Sequence, residues 1–344
     1  MYTLSDFDFS LPDTLIAQIP LPERHQSRLL EVTEKKLLDR TVTELGDTLS
    51  AGDLLVFNNT RVMRARLFGT KQTGGRVEIL IERITGDKTA LARIRASRPP
   101  RDASCIRVNG YELHIQSRQG EYYSLLFPDT VLRILEHCGH LPLPPYITRQ
   151  AEKMDDTRYQ TVYADVSGAI ASPTAGLHFS PPLLDGLRQK GVQFAYLTLH
   201  VGSGTFQPVR TENLSAHRMH EEWYCLPEST VTAIGHAKEN RRNIVAVGTT
   251  TLRALESSAQ SGVLHAGEGN TRLFITPGYS FRTANRLLTN FHLPKSSLLM
   301  LVSAFAGYER IREAYAHAIT QRYRFFSYGD AMLLNCANPP LLSE

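Results

Sequence analysis

The pattern of apolar residues changes abruptly between Arg66 and Phe127, and this change constrains the fold more than any other feature. Within that stretch, short apolar or alternating runs such as RVEILIERI, TALARIRA and YELHIQ are separated by turn residues. Asn109-Gly110, between two of these runs, is the strongest short-range hairpin signal. Short strands at regular spacing predict a small all-β unit that resembles a barrel.

Outside this stretch, strand-like and helix-like segments alternate, which is typical of an α/β domain. Ser180 is a predicted N-cap, Pro181 the first helical residue and Gly191 the end of that helix. IVAVGTT is read as a buried strand that runs into a helix over 252–261. We also predict a short helix over Leu11–Gln18, a strand at LFITP and helices over 296–306 and 310–323.

The predicted fold class is therefore an α/β main domain, with a mixed sheet and helices, that carries an inserted small all-β barrel-like domain. Residues 1–61 and 149–344 form the main domain, and residues 62–148 form the insertion. The proline-rich LPLPPYI segment is interpreted as the connection that returns from the insertion.

Charge is distributed unevenly along the chain. The formal net charge is only +4, but the stretch from Val62 to Phe127 has 12 Lys and Arg against 6 Asp and Glu. Arg93, Arg95, Arg98 and Arg101 all lie in RIRASRPPR. These side chains are either solvated strand positions or a patch that binds phosphates.

Several protein classes are excluded by their missing motifs. Gly202 and Gly204 follow a predicted strand, but position 207 is Gln, so the GxGxxG dinucleotide loop is incomplete. Neither a P-loop nor an HExxH motif occurs. His217, His220 and Glu221 lack a matching set of further ligands, so no metal site is expected. The four separated cysteines and the polar N-terminus favour a cytoplasmic protein with reduced thiols.

Polar residues cluster where predicted strands end. Ligands of open α/β folds bind at such strand ends, and short Gly-Thr loops offer backbone N–H groups and hydroxyls. The clusters are Asn58–Arg61, Pro173–His178, His200–Phe206, Gly248–Thr251, Thr289–His292 and Ser327–Asp330.

Histidines and carboxylates near these clusters have two interpretations each. His178, His200 and His292 could be general acids or bases, because imidazole titrates near neutral pH, or could simply be held by hydrogen bonds in an apolar setting. Glu256 and Asp330 are the candidate carboxylates. Arg253 and Glu256, spaced i,i+3, could form only a helix-surface ion pair.

Blocks of sequence in a fixed order make the chain resemble the tRNA ribosyltransferase-isomerase family of queuosine synthesis. The blocks span nearly the whole chain, and they include PTAGLHF, TLHVGSGTFQPV, VGTTTLRALES, LLTNFHLPKSS and FFSYGDAM. The resemblance implies a tRNA substrate with 7-aminomethyl-7-deazaguanine at the wobble position, and S-adenosylmethionine as a ribosyl donor. It implies an epoxyqueuosine product, release of adenine and methionine, and no metal or other cofactor. We also expect a monomer.

On this basis we assign provisional roles to residues of the clusters. Proton transfer falls to His178 or His292, with Asp330 or Glu256 as base or orienting group. Phe206 is expected to stack on a base. The predicted S-adenosylmethionine contacts are Thr174, Gly176, Gly202, Gly204, Thr205, Phe206, Thr249, Thr250, Arg253 and Asn290. The predicted nucleoside and tRNA contacts are Asn58, Asn59, Arg61, Arg95, Arg98 and Arg101.

One position departs from the family pattern. Asn285 stands where the family usually has an Asp before LLTNFHLP. We interpret it as a structural position, since an amide keeps the hydrogen bonds and loses only the charge.

Three other functions remain as alternatives. An RNA methyltransferase would share S-adenosylmethionine but needs a glycine loop that is missing here. A non-catalytic RNA-binding β module would bind tRNA without releasing adenine. An α/β enzyme acting on small metabolites would not depend on tRNA.

Overall fold

The computed structural model describes residues 2–206, 209 and 211–340, with only the backbone described at Ser203 and Phe206. The helices of these residues are α1 (Val131–Cys138), α2 (Asp155–Arg158), α3 (Pro181–Gln189), α4 (Glu228–Glu239), α5 (Thr249–Ser258), α6 (Ser297–Ala306) and α7 (Tyr308–Thr320). The strands are β1 (Arg28–Val32), β2 (Leu37–Thr41), β3 (Leu54–Asn58), β4 (Thr60–Val62), β5 (Arg66–Lys71), β6 (Arg76–Gly86), β7 (Thr89–Ala96), β8 (Cys105–Val108), β9 (Tyr111–Gln119), β10 (Tyr122–Leu126), β11 (Val166–Ala169), β12 (Gln193–Leu199), β13 (Glu222–Leu226), β14 (Ile244–Val247), β15 (Gly267–Thr271), β16 (Arg286–Asn290) and β17 (Ala331–Asn335).

A nine-stranded mixed sheet organises the main domain, with the order β15-β13-β12-β3-β14-β16-β17-β1-β2. Its centre is parallel, because β12, β3, β14 and β16 all run in the same direction. β17 pairs antiparallel with β16 and ends this parallel block on one side, as the antiparallel β13 does on the other. The carboxyl ends of the four parallel strands therefore meet at one edge.

Alternate side chains of the central strands fill two separate apolar layers. Leu54 and Val56 of β3 belong to the layer under α4 to α7, whereas Leu55 and Phe57 belong to the layer under α3 and the segment 42–49. Period-two alternation with apolar residues on both faces is what a strand buried between two helical layers requires. The all-apolar runs LLVF and IVAV thus follow from the architecture.

The insertion is a closed barrel with the strand order β10-β7-β6-β5-β8-β9. Its apolar core draws on residues from Met63 to Leu135, including the inner face of α1. Leu141, Leu143 and Ile147 follow the barrel but pack against Val62 and Tyr159. The fold class predicted from the sequence, an α/β domain with an inserted all-β barrel, is confirmed.

Two local predictions were wrong. Residues 11–18 contain only a single 3-10 turn, Asp13–Leu15, because the backbone groups of Leu15 and Ala17 bond to Phe325. LFITP forms no strand; the preceding Gly267–Thr271 pairs with β13 instead. In both places, contacts with a distant segment outweigh the local apolar pattern.

Candidate active site

An open cleft of about 710 Å³ lies at the carboxyl edge of the parallel block. Its walls come from segments that are far apart in sequence, namely residues 171–175, 248–250, 289–293 and 326–327, joined by Val201, Thr205 and Tyr146. Five of the polar clusters identified in the sequence therefore contribute to one cavity: those beginning at Pro173, His200, Gly248, Thr289 and Ser327.

The floor of the cleft includes the turn from β14 into α5. Gly248 has φ +96°, a left-handed conformation that favours glycine, and its N–H bonds to Leu288 of the neighbouring strand at 2.8 Å. Thr249 and Thr250 then begin the helix and line the cleft. The first N–H groups of a helix have no intrahelical acceptor, so this turn presents donors and a partial positive charge to the cavity.

Several buried polar atoms around the cleft have no hydrogen-bond partner within the described residues. They include Ser172 Oγ, Asn290 Oδ1 and His178 Nε2, and all three residues are less than 6% exposed. The amide nitrogen of Asn290 donates to Phe326 O at 3.0 Å, which fixes the side chain in the wall. Because buried polar groups are nearly always satisfied, these atoms are positions where an ordered water or a polar ligand can bind.

Both candidate histidines are buried and neutral at pH 7. Burial lowers the pKa of His292 to about 3, and its Nε2 contacts Thr289 Oγ1 at 3.0 Å. Burial likewise lowers the pKa of His178 to about 4, although the side chain of Asn290 acts in the opposite direction. His292 lines the cleft, whereas His178 lines an adjoining recess. Neither can begin as a protonated acid, but each offers an unprotonated nitrogen.

His200 is separate from this pair. Its Nδ1 contacts Thr60 Oγ1 at 2.8 Å, and its ring stacks on Trp223. Burial lowers its pKa to about 4. This geometry matches the interpretation of a histidine held in place.

The two candidate carboxylates hold loops together and are not part of the cleft wall among the described residues. Glu256 accepts hydrogen bonds from the backbone of Arg282 and Thr283 and from the Tyr279 hydroxyl. Asp330 accepts from the backbone N–H groups of Arg28 at 2.9 Å and Arg324 at 2.8 Å, and burial raises its pKa. Neither position supports the predicted role in proton transfer.

Among the described side chains of the Gly202–Phe206 loop, only that of Thr205 lines the cleft. The N–H of Gly202 donates to Glu222, whose other oxygen pairs with the buried Arg253. A side chain at Gly204 would strike the ring of His220. Gly202, Gly204 and Arg253 therefore hold the conformation of the loop. The predicted stacking by Phe206 concerns a side chain outside the described part of the structure.

The loop after β11 divides in the same way. Thr174 lines the cleft, as predicted, but Gly176 packs against the Tyr163 hydroxyl and could not accept a side chain there.

Asn58 and its neighbours hold the framework and do not line the cleft. The Asn58 side chain is fully buried and bonds to both backbone groups of Leu199. Asn59 accepts from the Thr198 hydroxyl at 2.7 Å, and the exposed Arg61 donates to Ala164 O. The structure therefore does not bring the predicted nucleoside contacts into this cavity.

On the barrel, Arg95, Arg98 and Arg101 are exposed, and no carboxylate in the described part of the chain lies within 4 Å of them. Arg93 differs, because it pairs with Glu82 and Glu121. Three of the four clustered arginines thus remain open to an anionic partner.

Two further residues of the cleft escaped the sequence analysis. Tyr146 comes from the segment that returns from the barrel; its hydroxyl contacts Ser327 Oγ at 2.6 Å and its ring packs on Phe326. Ser172 precedes the Pro173–His178 cluster. A lone aromatic in a proline-rich connection carries no periodic signal, so only the fold identifies Tyr146.

Asn285 lies at the end of β16 remote from the cleft. Its Oδ1 accepts from the N–H of Ile244 at 2.8 Å, and its Nδ2 donates to Asn243 Oδ1 at 3.0 Å. The second bond uses the amide donor that a carboxylate lacks.

Within the described ranges, no three His, Cys, Asp or Glu side chains are grouped to hold a metal ion. No helix there is long and apolar enough to cross a membrane.

Comparison with known families gives one match along most of the chain. Residues 4–334 match the family described as queuosine biosynthesis protein. The S-adenosylmethionine:tRNA ribosyltransferase-isomerase of Herminiimonas arsenicoxydans is 59% identical over 98% of this chain and 100% of its own. The enzyme of the same name from Aromatoleum aromaticum is 56% identical over 98% of both chains.

A solved structure agrees with these relatives. The crystal structure of S-adenosylmethionine tRNA ribosyltransferase from Thermotoga maritima is 35% identical and covers 95% of this chain and 99% of that one, with a TM-score of 0.56.

Proposed function

The chain belongs to the queuosine biosynthesis protein family, and we propose that it acts as an S-adenosylmethionine:tRNA ribosyltransferase-isomerase. In the proposed reaction the ribose moiety of S-adenosylmethionine is transferred to the aminomethyl group of 7-aminomethyl-7-deazaguanine at the tRNA wobble position. The transferred sugar is rearranged to give epoxyqueuosine, and adenine and methionine leave.

The observation that carries this proposal is the convergence of distant family motifs in one cleft. PTAGLHF, VGTTTLRALES, TNFHLP and FFSYGDAM each contribute residues to its wall. Around the cavity, the atoms without partners, Ser172 Oγ and Asn290 Oδ1, accept hydrogen bonds from donors such as an exocyclic amine or a ribose hydroxyl. The helix start at Thr249 favours a negatively charged group, such as the carboxylate of the methionine part.

The chemistry calls for a base, because the sulfonium charge acidifies the adjacent C5′ hydrogens. His178 and His292 both present unprotonated nitrogens at neutral pH, since burial depresses their pKa values. His178 Nε2 has no hydrogen bond of normal geometry within the described residues, although the Asn290 side chain is close enough to raise its pKa, whereas His292 Nε2 contacts Thr289 Oγ1. We therefore favour His178 as the base and His292 as a neutral group that positions the ligand. The imidazolium that forms when His178 takes the C5′ proton can then give that proton to the departing adenine.

A nucleobase that is stacked inside the anticodon loop cannot enter the cleft, so the wobble nucleotide has to be extruded. Arg95, Arg98 and Arg101 on the barrel are suited to contact the tRNA backbone, since their charges have no carboxylate partner among the described residues.

Incubation with S-adenosylmethionine and precursor-bearing tRNA tests the proposal, with nucleoside mass spectrometry and quantification of adenine. One adenine per modified nucleoside is the expected result. S-adenosylhomocysteine in place of adenine would identify a methyltransferase, and tRNA binding without any product would identify a binding module. His178→Ala should abolish adenine release while the protein still binds tRNA.

A further inference from the structure

A second, shallow recess adjoins the cleft and shares the wall residue Ser327 with it. It is lined by Arg24, Arg158 and His178, together with Tyr328 and Gly329. No contact predicted from the sequence involves either arginine. The recess thus brings two cationic side chains to the margin of the proposed active site.

Both guanidinium groups are held in fixed positions by backbone carbonyls. Arg24 donates to Thr157 O at 2.7 Å and to Leu177 O at 3.2 Å. Arg158 donates to Pro22 O and Leu21 O, both at 2.7 Å. Each arginine therefore binds the backbone next to the other, and neither side chain has the conformational freedom of a surface arginine.

These hydrogen bonds fix the charges without neutralising them. Neither guanidinium lies within 4 Å of a carboxylate in the described part of the chain. Glu23 also lines the recess, but its exposed carboxylate forms no ion pair among the described residues, and its hydrogen bond to the Gln26 side chain comes from the backbone N–H. Burial and the charge of Arg158 lower the pKa of Arg24 to about 10. Two like charges held together in this way favour an anion between them.

Donors for such an anion are present. Each guanidinium has five N–H donors, of which backbone carbonyls take three at Arg24 and two at Arg158, so that further donors remain for an anion. Guanidinium groups bind phosphate through forked pairs of N–H donors.

We propose that this recess binds one backbone phosphodiester of the tRNA, next to the nucleotide whose base occupies the cleft. The inference rests on the proposed function and deepens it, because it assigns the phosphate contact of the extruded nucleotide to Arg24 and Arg158. A phosphate held at the shared wall would keep the sugar at the cleft opening while the base enters.

The test uses the intact protein and a synthetic anticodon stem-loop RNA. One methylphosphonate linkage, which is uncharged, replaces the phosphate on the 5′ or the 3′ side of the wobble nucleotide. Wild-type protein should bind one of these two RNAs about tenfold more weakly than the unmodified RNA, as expected for the loss of one charge-assisted contact. Equal affinity for all three RNAs would overturn the proposal without any variant being made.

Arg24→Gln tests the protein side, with Arg188→Gln on α3 as a control that removes the same charge from an exposed ion pair. Arg24→Gln should bind the unmodified RNA about tenfold more weakly, lower the salt slope by about one and become insensitive to the methylphosphonate. Arg188→Gln should behave as wild type. If Arg24→Gln still loses affinity for the methylphosphonate RNA as the wild-type protein does, the assignment of the phosphate to this recess is refuted. Adenine release by wild-type protein is measured in parallel. This measurement distinguishes an error in the proposed phosphate site from an error in the proposed reaction.

Discussion

The side chain of Asn58 bonds to both backbone groups of Leu199: Nδ2 donates to the carbonyl at 2.9 Å, and Oδ1 accepts from the N–H at 3.0 Å. The contact is fully buried and lies where β3 and β12 reach the active-site edge. It holds together two of the strands that carry the cleft.

Asn58→Ala should therefore act on stability. The substitution leaves the Leu199 N–H and carbonyl without partners in a dry environment, which costs about 1–3 kcal/mol for each group. Urea denaturation of the variant should show a lower free energy of unfolding by about 2–5 kcal/mol. Asn240→Ala, at the exposed end of α4, removes a single amide contact and should change it far less. Equal stability of the two variants would contradict this account.

Glu256→Gln should loosen the segment 279–283 and leave the chemistry intact. Four groups donate to the carboxylate, so an amide nitrogen facing them is unfavourable. We expect a Tm lower by several degrees, corresponding to about 1–3 kcal/mol, and near-normal adenine release at low temperature. Lost turnover at unchanged Tm would instead restore a role in proton transfer.

Stability should fall in mild acid because His178 and His292 resist protonation. Their folded pKa values of about 4 and about 3 lie below the usual 6.5. As the pH falls below 6.5, the unfolded chain gains protons that the folded chain does not, so this stability is fully present above 6.5. Each histidine should cost about 2 kcal/mol by pH 5. Urea titrations at pH 7.5 and 5 measure the loss.

The matched variants for that measurement are His178→Gln and His265→Gln. The first removes a buried histidine and should reduce the loss of unfolding free energy between pH 7.5 and 5. The second removes an exposed histidine and should leave that loss unchanged. If His178→Gln leaves the slope unchanged, its imidazole is not held neutral.

Tyr146 should contribute to RNA binding through its ring more than through its hydroxyl. Tyr146→Phe keeps the ring that packs on Phe326 and loses the hydroxyl contact with Ser327, whereas Tyr146→Leu loses both. Since stacking of a base on an aromatic ring contributes about 1–3 kcal/mol, the Leu variant should bind the stem-loop about tenfold more weakly. The Phe variant should stay within about threefold. The reverse order in a fluorescence titration would argue against stacking.

The architecture could be predicted because its signals are local. Asn109-Gly110 marks a hairpin, and Ser180 caps α3 as its position before Pro181 predicts. Strands β1 and β16 gave no such signal, and they are recognised only by their pairing with neighbouring strands of the sheet.

The residues that line the cleft were harder to predict than the position of the cleft in the fold. Thr249, Asn290 and His292 reach the cleft because they end parallel strands or begin the helix after one. Glu256 lies in the same VGTTTLRALES motif as Thr249, yet its carboxylate accepts hydrogen bonds from a distant loop. Sequence spacing assigns a residue to an element, but only tertiary packing decides which way its side chain faces.

The backbone of Arg66 bonds to that of His140 in both directions, at 3.1 and 2.8 Å, so the chain leaves and rejoins the main domain at a single point. A tight turn could bridge that point with the host connectivity preserved. The barrel is thus a unit that could be exchanged between relatives while the residues that line the cleft stay in place.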